Sequence, residues 1–265
     1  WEMSTGKNIL TLSGHLYWMA EVSFSPDGKL LASGSGDATI GIWNPKTGDL
    51  VSLIDGNSNG TYAISFSRDG RILASGGQDN KIKLWDVKTG EILRTLSGHS
   101  ELVWSVTFSE DRRTLASVSG HTIKLWQANT GKLIYSIDGD PVWVSSVSFS
   151  PDSKILAYGG GDMKIKLWNI NSRKIIRVIE GHNAPSCSLA FSPNGKILAS
   201  GSRDNTIKIW EVNTGKLLHT LEGEDWVSSV SFSPDGKMLA SGYTDSTIKL
   251  WEVNTGGLIR IIRGH

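Results

Sequence analysis

The chain has 265 residues, 38% of them hydrophobic, and its 27 basic and 26 acidic residues leave a net charge of +1. This length supports a large core without requiring several domains, and the charge balance argues against a general affinity for nucleic acid or anionic membranes. The single cysteine, Cys187, excludes a disulfide framework within the chain, and no apolar run is long enough to cross a bilayer. We therefore expect a cytoplasmic protein with neither nucleic acid nor membrane as a partner.

One repeat organises the whole sequence. Tryptophan recurs every 41 or 42 residues, at Trp1, Trp43, Trp85, Trp126, Trp168, Trp210 and Trp251. Phenylalanine keeps the same register, at Phe24, Phe66, Phe108, Phe149, Phe191 and Phe232. A period of this length indicates a supersecondary unit that must stack on its neighbours to bury its faces.

Each repeat predicts four short strands, and the last repeat shows them in chain order. Residues 227–232 alternate apolar and small side chains, and a Pro-Asp-Gly turn follows. A second strand starts at residue 237, a tight turn lies around Asp245, a third strand ends at Trp251, and a fourth covers 257–262. Helical periodicity is not sustained anywhere, so we predict an all-β, antiparallel fold. The predicted units are 16–57, 58–99, 100–140, 141–182, 183–223 and 224–265, with an extra outer strand in 1–15.

The motifs resemble a known repeat. Gly-His, then Phe-Ser-Pro-Asp-Gly, then Leu-Ala-Ser-Gly-Ser-x-Asp-x-Thr-Ile-Lys-Leu-Trp is the pattern of the WD40 family, and residues 199–210 nearly spell its second half. The resemblance covers the whole chain and implies a β-propeller of four-stranded blades. It implies six complete blades plus one extra outer strand, in a six- or seven-bladed ring, and we expect the chain to be part of a longer array.

The resemblance also implies buried tetrads of His, Ser, Asp and Trp. Two complete sets occur by motif position: His15, Ser33, Asp37, Trp43 and His182, Ser200, Asp204, Trp210. Elsewhere the histidine position holds Asn57, Asp140 or Glu224, and we expect each lost hydrogen bond to cost about 1 kcal/mol. A Ser-His-Asp trio is also found in hydrolases, but a serine buried against an indole cannot reach a substrate. We therefore predict structural tetrads and no enzyme.

Five aromatic residues outside the repeat series stand four or six positions before the repeated phenylalanine: Trp18, Tyr62, Trp104, Trp143 and Trp226. Alternation along a strand puts these two positions on one side. The resemblance implies that they lie at the top face, near the channel mouth. There they could anchor a protein partner, since rigid aromatics are frequent in binding hot spots, or they could pack against the next blade.

The predicted function is that of a non-catalytic scaffold that binds a protein or peptide on the top face, as a docking or sensor module of a larger signalling protein. No cofactor is predicted, and the six histidines show no metal-ligand spacing. Two alternatives stay open at this point. One is a propeller that binds a sugar or other small molecule in its central channel. The other is a structural array, monomeric or oligomerised through unpaired terminal strands.

Overall fold

The computed structural model describes residues 1–137 and 142–263. These residues contain twenty-four strands, which form six four-stranded sheets. Within each sheet the strands lie side by side in chain order, and their pairings are antiparallel. The described residues hold no helix with the length and hydropathy of a membrane-crossing segment. The all-β architecture and the four-stranded antiparallel blades predicted from the repeat are confirmed.

The strands of blades 1 to 3 are β1 (Met19–Phe24), β2 (Leu31–Ser35), β3 (Thr39–Trp43), β4 (Leu50–Asp55), β5 (Thr61–Phe66), β6 (Ile72–Gly77), β7 (Ile82–Asp86), β8 (Ile92–Leu96), β9 (Val103–Phe108), β10 (Thr114–Ser119), β11 (Thr122–Gln127) and β12 (Leu133–Ile137). Those of blades 4 to 6 are β13 (Val144–Phe149), β14 (Ile155–Gly160), β15 (Lys164–Asn169), β16 (Lys174–Glu180), β17 (Ser186–Phe191), β18 (Ile197–Ser202), β19 (Thr206–Glu211), β20 (Leu217–Glu222), β21 (Val227–Phe232), β22 (Met238–Tyr243), β23 (Thr247–Glu252) and β24 (Leu258–Arg263).

The chain divides into two compact units. One unit, residues 10–144, contains blades 1 to 3. The other, residues 1–9 with 145–265, contains blades 5 and 6 and all of blade 4 except the first residue of β13. The same packing occurs within each unit: the first strand of a blade packs on the blade that precedes it in the chain.

The core of each unit is a stack of blade faces. Val103 and Val106 on β9 are 0% and 3% exposed, in one cluster with residues of blade 2. A Cβ atom added to Gly76 on β6 would lie 2.5 Å from Val103 Cγ1. In the other unit, Gly201 on β18 stands equally close to Val227 on β21. Glycine is required here because no larger residue would let the two sheets approach.

The first strand of blade 1 is an exception to this burial. Met19, Val22 and Phe24 on β1 are 55%, 51% and 60% exposed. Their counterparts on β5, Ile64 and Phe66, are only 2% and 7% exposed, because blade 1 covers them. Within its own unit, β1 has no preceding blade to cover its apolar side.

The extra outer strand expected within residues 1–15 is not formed. The only ladder contact there is an isolated bridge between Glu2 and Lys7, which closes a turn. An outer strand needs a third strand beside it for its hydrogen bonds, and the third strand of every described blade already pairs with an outer strand of its own. The turn is fastened instead by Arg260, which donates to the Thr5 and Ser4 carbonyls at 2.7 and 2.6 Å.

Similar hydrogen bonds from a side chain to backbone carbonyls link neighbouring blades inside the unit that contains residues 145–265. Arg177 on β16 donates from its two terminal nitrogens to the carbonyls of Thr214 and Asn213 at 2.7 and 2.6 Å. At the matching place on β20 stands His219, whose Nε2 lies 3.0 Å from the Asn254 carbonyl oxygen. At this position one imidazole nitrogen contacts one carbonyl, whereas the guanidinium of Arg177 donates to two.

Replacing His219 by arginine should therefore stabilise the protein. Arginine would reach two carbonyls of the next turn instead of one, and a second charge-assisted hydrogen bond at an exposed site is worth about 1 kcal/mol. Urea unfolding of His219→Arg should show a higher midpoint than wild type, and Arg177→His should show a lower one. A midpoint for His219→Arg at or below that of wild type would mean that the carbonyls of the blade 6 turn are not positioned to accept two hydrogen bonds from an arginine.

Candidate docking surface and structural tetrads

Each blade has two ends with different groups. We call the end where the first strand begins, and where the turn between the second and third strands lies, the top end. The opposite end, where the first strand ends, is the bottom end. The histidine and aspartate of each tetrad and the aromatic residues outside the repeat series lie toward the top ends, because they come from the entry to the first strand and from the turn between the second and third strands.

The tetrad of blade 5 is a continuous chain of hydrogen bonds from the tryptophan to the aspartate. His182 Nε2 lies 2.7 Å from Ser200 Oγ, and Trp210 Nε1 donates to the same oxygen at 2.8 Å. His182 Nδ1 lies 2.9 Å from Asp204 Oδ2. Ser200 is 0% exposed. Since its hydroxyl is buried and shared between an indole and an imidazole, this trio lacks the exposed nucleophile that hydrolysis requires.

The tetrad of blade 1 has the same connections. His15 Nε2 and Trp43 Nε1 both lie 2.7 Å from Ser33 Oγ, and His15 Nδ1 lies 3.2 Å from Asp37 Oδ2. Asp37 also accepts a hydrogen bond from the backbone N–H of Leu16 at 2.8 Å. Both sets therefore tie the segment before the first strand to the turn between the second and third strands.

The acidic members of these sets are strongly stabilised as carboxylates. Burial by itself would raise the pKa of Asp204, but hydrogen bonds from Thr206, the Asn183 N–H and His182 outweigh it and lower the pKa to about 2. The pKa of Asp37 is lowered in the same way, by donors that outweigh its burial. Burial lowers the pKa of His182, although Asp204 opposes that effect. These aspartates thus act as fixed acceptors for backbone and side-chain donors.

The blade 2 network is complete despite its substitution, so the expected loss of a hydrogen bond at Asn57 is wrong. The Asn57 side-chain oxygen accepts from Ser75 Oγ at 2.7 Å, and its Nδ2 donates to Asp79 Oδ1 at 2.8 Å. Trp85 Nε1 donates to Ser75 Oγ at 2.8 Å. An amide carries both an acceptor and donors, so it can replace the imidazole in this position.

Blades 3, 4 and 6 keep parts of the pattern. In blade 3, Ser117 Oγ lies 2.7 Å from His99 Nε2 and accepts from Trp126 Nε1 at 2.8 Å. In blade 6, Trp251 Nε1 donates to Ser241 Oγ at 2.9 Å, while the side chain of Glu224 is 72% exposed. In blade 4, Tyr158 replaces the serine, is buried, and has Lys166 Nζ 5.6 Å from its ring centre. Asp140 lies outside the described residues.

Three of the predicted anchor residues form one row across blades 1 to 3. The ring centres of Trp18 and Tyr62 are 5.2 Å apart, and those of Tyr62 and Trp104 are 5.7 Å apart. The planes are tilted by 30° and 41°, within the range of favourable aromatic pairs. Trp18 and Trp104 are nevertheless 53% and 55% exposed. We call Trp18, Tyr62 and Trp104 the aromatic row.

Local contacts hold the aromatic row in place. A Cβ atom on Gly36 would lie 3.0 Å from Trp18 Nε1, so this indole lies directly on the backbone of the blade 1 turn. The Tyr62 hydroxyl donates to Gln78 Oε1 at 3.3 Å, which ties the central ring to the turn of blade 2. Supported rings of this kind lose little side-chain entropy when a partner covers them.

The other two predicted anchors are placed differently. Trp143, before β13, is 37% exposed. Trp226, before β21, is 48% exposed, and the Arg203 guanidinium carbon lies 5.1 Å from its ring centre. Trp226 belongs to the other compact unit. The sequence pattern treated all five residues as one group, and within it ring-to-ring contacts link Trp18 to Tyr62 and Tyr62 to Trp104.

One partly buried titratable group, Glu21, was missed by the sequence reasoning. Glu21 Oε2 on β1 accepts the Ile64 N–H of β5 at 2.9 Å, and burial raises the pKa of this carboxyl to about 8. At the same register, Ser146 accepts from the Leu189 N–H at 3.1 Å. The signal was available, because a serine stands at this register in four blades: Ser105, Ser146, Ser188 and Ser229.

The fold and the tetrads together define a β-propeller built from WD-type repeats. Comparison with family models agrees. The model described as "WD domain, G-beta repeat" matches residues 173–211 and 215–252, and that described as "Nucleolar protein 10-like, N-terminal domain" matches residues 3–171, more than half of the chain. The chain therefore belongs to the WD40 β-propeller family.

Three curated relatives each match the chain over about one repeat. The chain is 50% identical over 46 residues to Lissencephaly-1 homolog 1 of Paramecium tetraurelia, which is 17% of this chain and 11% of that protein. It is 49% identical over 43 residues to apoptotic protease-activating factor 1 of Danio rerio, 16% and 3% of the two chains. It is 59% identical over 34 residues to the Notchless protein homolog of Arabidopsis thaliana, 13% and 7%. The matches thus span only a small share of these relatives.

Proposed function

We propose that this protein is a non-catalytic docking module whose aromatic row binds a protein or peptide at the top ends of blades 1 to 3. The observation that carries the proposal is the row itself, in which two half-exposed tryptophans flank a tyrosine at ring distances of 5.2 and 5.7 Å. Large, supported aromatic rings that remain exposed in the free protein are typical of binding hot spots.

A protein partner fits the row better than a small molecule does. The Tyr62 ring contacts both tryptophans, and these remain more than half exposed, so the row presents an open surface. An open surface does not enclose a small ligand, whereas an extended peptide or a protein surface can cover it from outside. Trp143, in the same unit, would add a further anchor to this surface, and Trp226, in the other unit, would anchor a separate contact.

In the relatives, the matching WD-type repeat is a small part of a longer protein. Lissencephaly-1, Notchless and apoptotic protease-activating factor 1 are all longer than the segment that matches. By this analogy we propose that the propeller works as the docking or sensor part of a larger signalling protein. The predicted cytoplasmic location stays a prediction, and the word "nucleolar" in the description of the matched family makes the nucleus the alternative to test by cell fractionation.

Alanine substitutions in the aromatic row should reduce binding by a large factor while leaving the fold intact. A peptide selected on the wild-type protein from a displayed library should bind Trp18→Ala or Trp104→Ala at least about 30-fold more weakly, corresponding to about 2 kcal/mol. Fluorescence polarisation would measure the affinities, and near-ultraviolet circular dichroism would check the fold. Trp226→Ala, in the other unit, is the matched control.

The same variants separate docking from simple packing. Because Trp18 and Trp104 are more than half exposed, their truncation should lower the free energy of unfolding by less than about 1 kcal/mol. If instead both variants lose several kcal/mol of stability and keep full peptide affinity, these tryptophans are packing residues and the docking surface lies elsewhere.

A further inference from the structure

A cavity lined by two arginines opens at the bottom end of blade 3, away from the aromatic row. Its volume is about 430 Å³, and it lies between the turn that joins β9 to β10 and the strands β11 and β12. This size is typical of sites for small organic ligands. No carboxylate is among its lining residues, which are Arg112, Arg113, Thr114, Gln127, Asn129 and Ile134.

Arg112 occupies a turn position that is glycine in most of the repeats. Its φ is +63°, in the left-handed region, where a residue with a Cβ atom is strained. The same position of the turn is held at a similar positive φ by glycine in four other blades: Gly28, Gly70, Gly195 and Gly236. A long cationic side chain kept in a conformation that favours glycine points to a use for that side chain.

Two further departures from the repeat make the same cavity more polar. Thr114 replaces an apolar residue that occurs in all five other blades, namely Leu30, Ile72, Ile155, Ile197 and Met238. Gln127 stands where three blades carry a carboxylate, Asp86, Glu211 and Glu252. Gln127 Oε1 accepts the Thr130 hydroxyl at 2.7 Å, so its amide nitrogen is the group left to donate. Together the changes remove a negative charge and add donors.

The two arginines are not neutralised by strong ion pairs. Arg112 Nη1 lies 3.5 Å from Asp69 Oδ2, but the arginine side chain is 60% exposed, so water screens this pair. Arg113 forms no ion pair within the described ranges 1–137 and 142–263. Asp111 accepts from the Ser109 hydroxyl and the Arg113 N–H and thereby closes its own turn. Arg112 and Arg113 thus both line a cavity whose other polar lining residues, Thr114, Gln127 and Asn129, are neutral.

We infer that this cavity is a binding site for a phosphate monoester. Guanidinium groups bind phosphate oxygens through paired, charge-assisted hydrogen bonds, and Thr114, Gln127 and Asn129 supply neutral donors around them. The volume has room for the phosphate and the group esterified to it. The site does not depend on the aromatic row, since Trp104 lies at one end of β9 and this cavity at the other.

Phosphate titration of the whole protein tests the site. O-phosphoserine should bind saturably in 0.15 M salt, with a dissociation constant in the millimolar range or below, as measured from the arginine Nε signals by NMR. Arg112→Gly should weaken binding at least tenfold and yet raise the melting temperature, because glycine relieves the left-handed strain. Arg113→Lys should also weaken binding, because it keeps the charge and loses the paired donors.

Ser153→Gly is the matched control, because Ser153 is the other non-glycine residue at this turn position, with a φ of +59°. It should raise the melting temperature and leave phosphate affinity unchanged. A capped peptide containing phosphoserine, compared with the free amino acid, identifies the source: tighter binding of the peptide indicates a phosphoprotein, and equal binding indicates a small phosphomonoester. Non-saturable binding, or equal affinity of wild type and Arg112→Gly, would overturn the inference.

Discussion

Replacing Glu21 by glutamine should stabilise the protein at pH 8 and flatten its stability profile between about pH 4.5 and 8. Burial raises the pKa of Glu21 from 4.5 to about 8, whereas the unfolded chain keeps the ordinary value. The folded state therefore holds a proton that the unfolded state releases across this window. The stabilising contribution is complete below the unfolded pKa and is lost as the pH rises through the folded pKa.

The size of this effect should be large. Each unit of pKa shift corresponds to about 1.4 kcal/mol. The free energy of unfolding of Glu21→Gln, minus that of wild type, should therefore be on the order of 3–5 kcal/mol larger at pH 8 than at pH 4.5. Glutamine has no proton to lose and keeps a side-chain oxygen for the Ile64 N–H, which Glu21 accepts at 2.9 Å. Urea unfolding of both proteins at several pH values would measure the difference.

Two variants make the Glu21 experiment specific. Glu21→Ser installs the residue that accepts the same kind of backbone hydrogen bond at Ser146 and Ser188, and it should also flatten the profile. Glu91→Gln, at an exposed site, should leave the profile unchanged. If Glu21→Gln and wild type lose stability in parallel from pH 4.5 to 8, the carboxyl is hydrated and titrates normally.

Replacing Ser200 by alanine should lower the free energy of unfolding by about 2–4 kcal/mol. Its hydroxyl joins the Trp210 indole to the His182 imidazole in a fully buried position. Removal leaves both rings with an unsatisfied polar nitrogen, and each such group costs about 1–3 kcal/mol. Chemical unfolding followed by tryptophan fluorescence would give the value.

A double-mutant cycle would show that the loss arises within the tetrad. In a Trp210→Phe background the indole N–H is already absent, so Ser200→Ala should cost at least about 1 kcal/mol less than it does in wild type. Additive losses would mean that the serine acts independently of the indole. A Ser200→Ala variant that keeps wild-type stability would contradict the structural role of this set.

The repeat itself determined most of the fold. The 41- or 42-residue spacing of tryptophan and phenylalanine was sufficient to predict four-stranded antiparallel blades, because a unit of that length cannot bury both faces alone and must stack. Side-chain types at motif positions likewise placed His182, Ser200, Asp204 and Trp210 in one hydrogen-bonded set. Local pattern is informative here because each of these contacts is made within a single blade.

Contacts between blades, and whether a substituted tetrad position keeps its hydrogen bonds, were decided only by the tertiary structure. Motif comparison treated Asn57 as a loss, yet its amide reaches Ser75 and Asp79 in the folded blade. The burial of Glu21 depends on the strand of the next blade, whose Ile64 N–H it accepts. Likewise, which exposed aromatics meet depends on the spacing of neighbouring blades, since the 5.2 Å contact between Trp18 and Tyr62 joins residues 44 positions apart. Periodicity shows which positions are equivalent, but the energy of each position depends on the particular side chains that face it across the blade boundary.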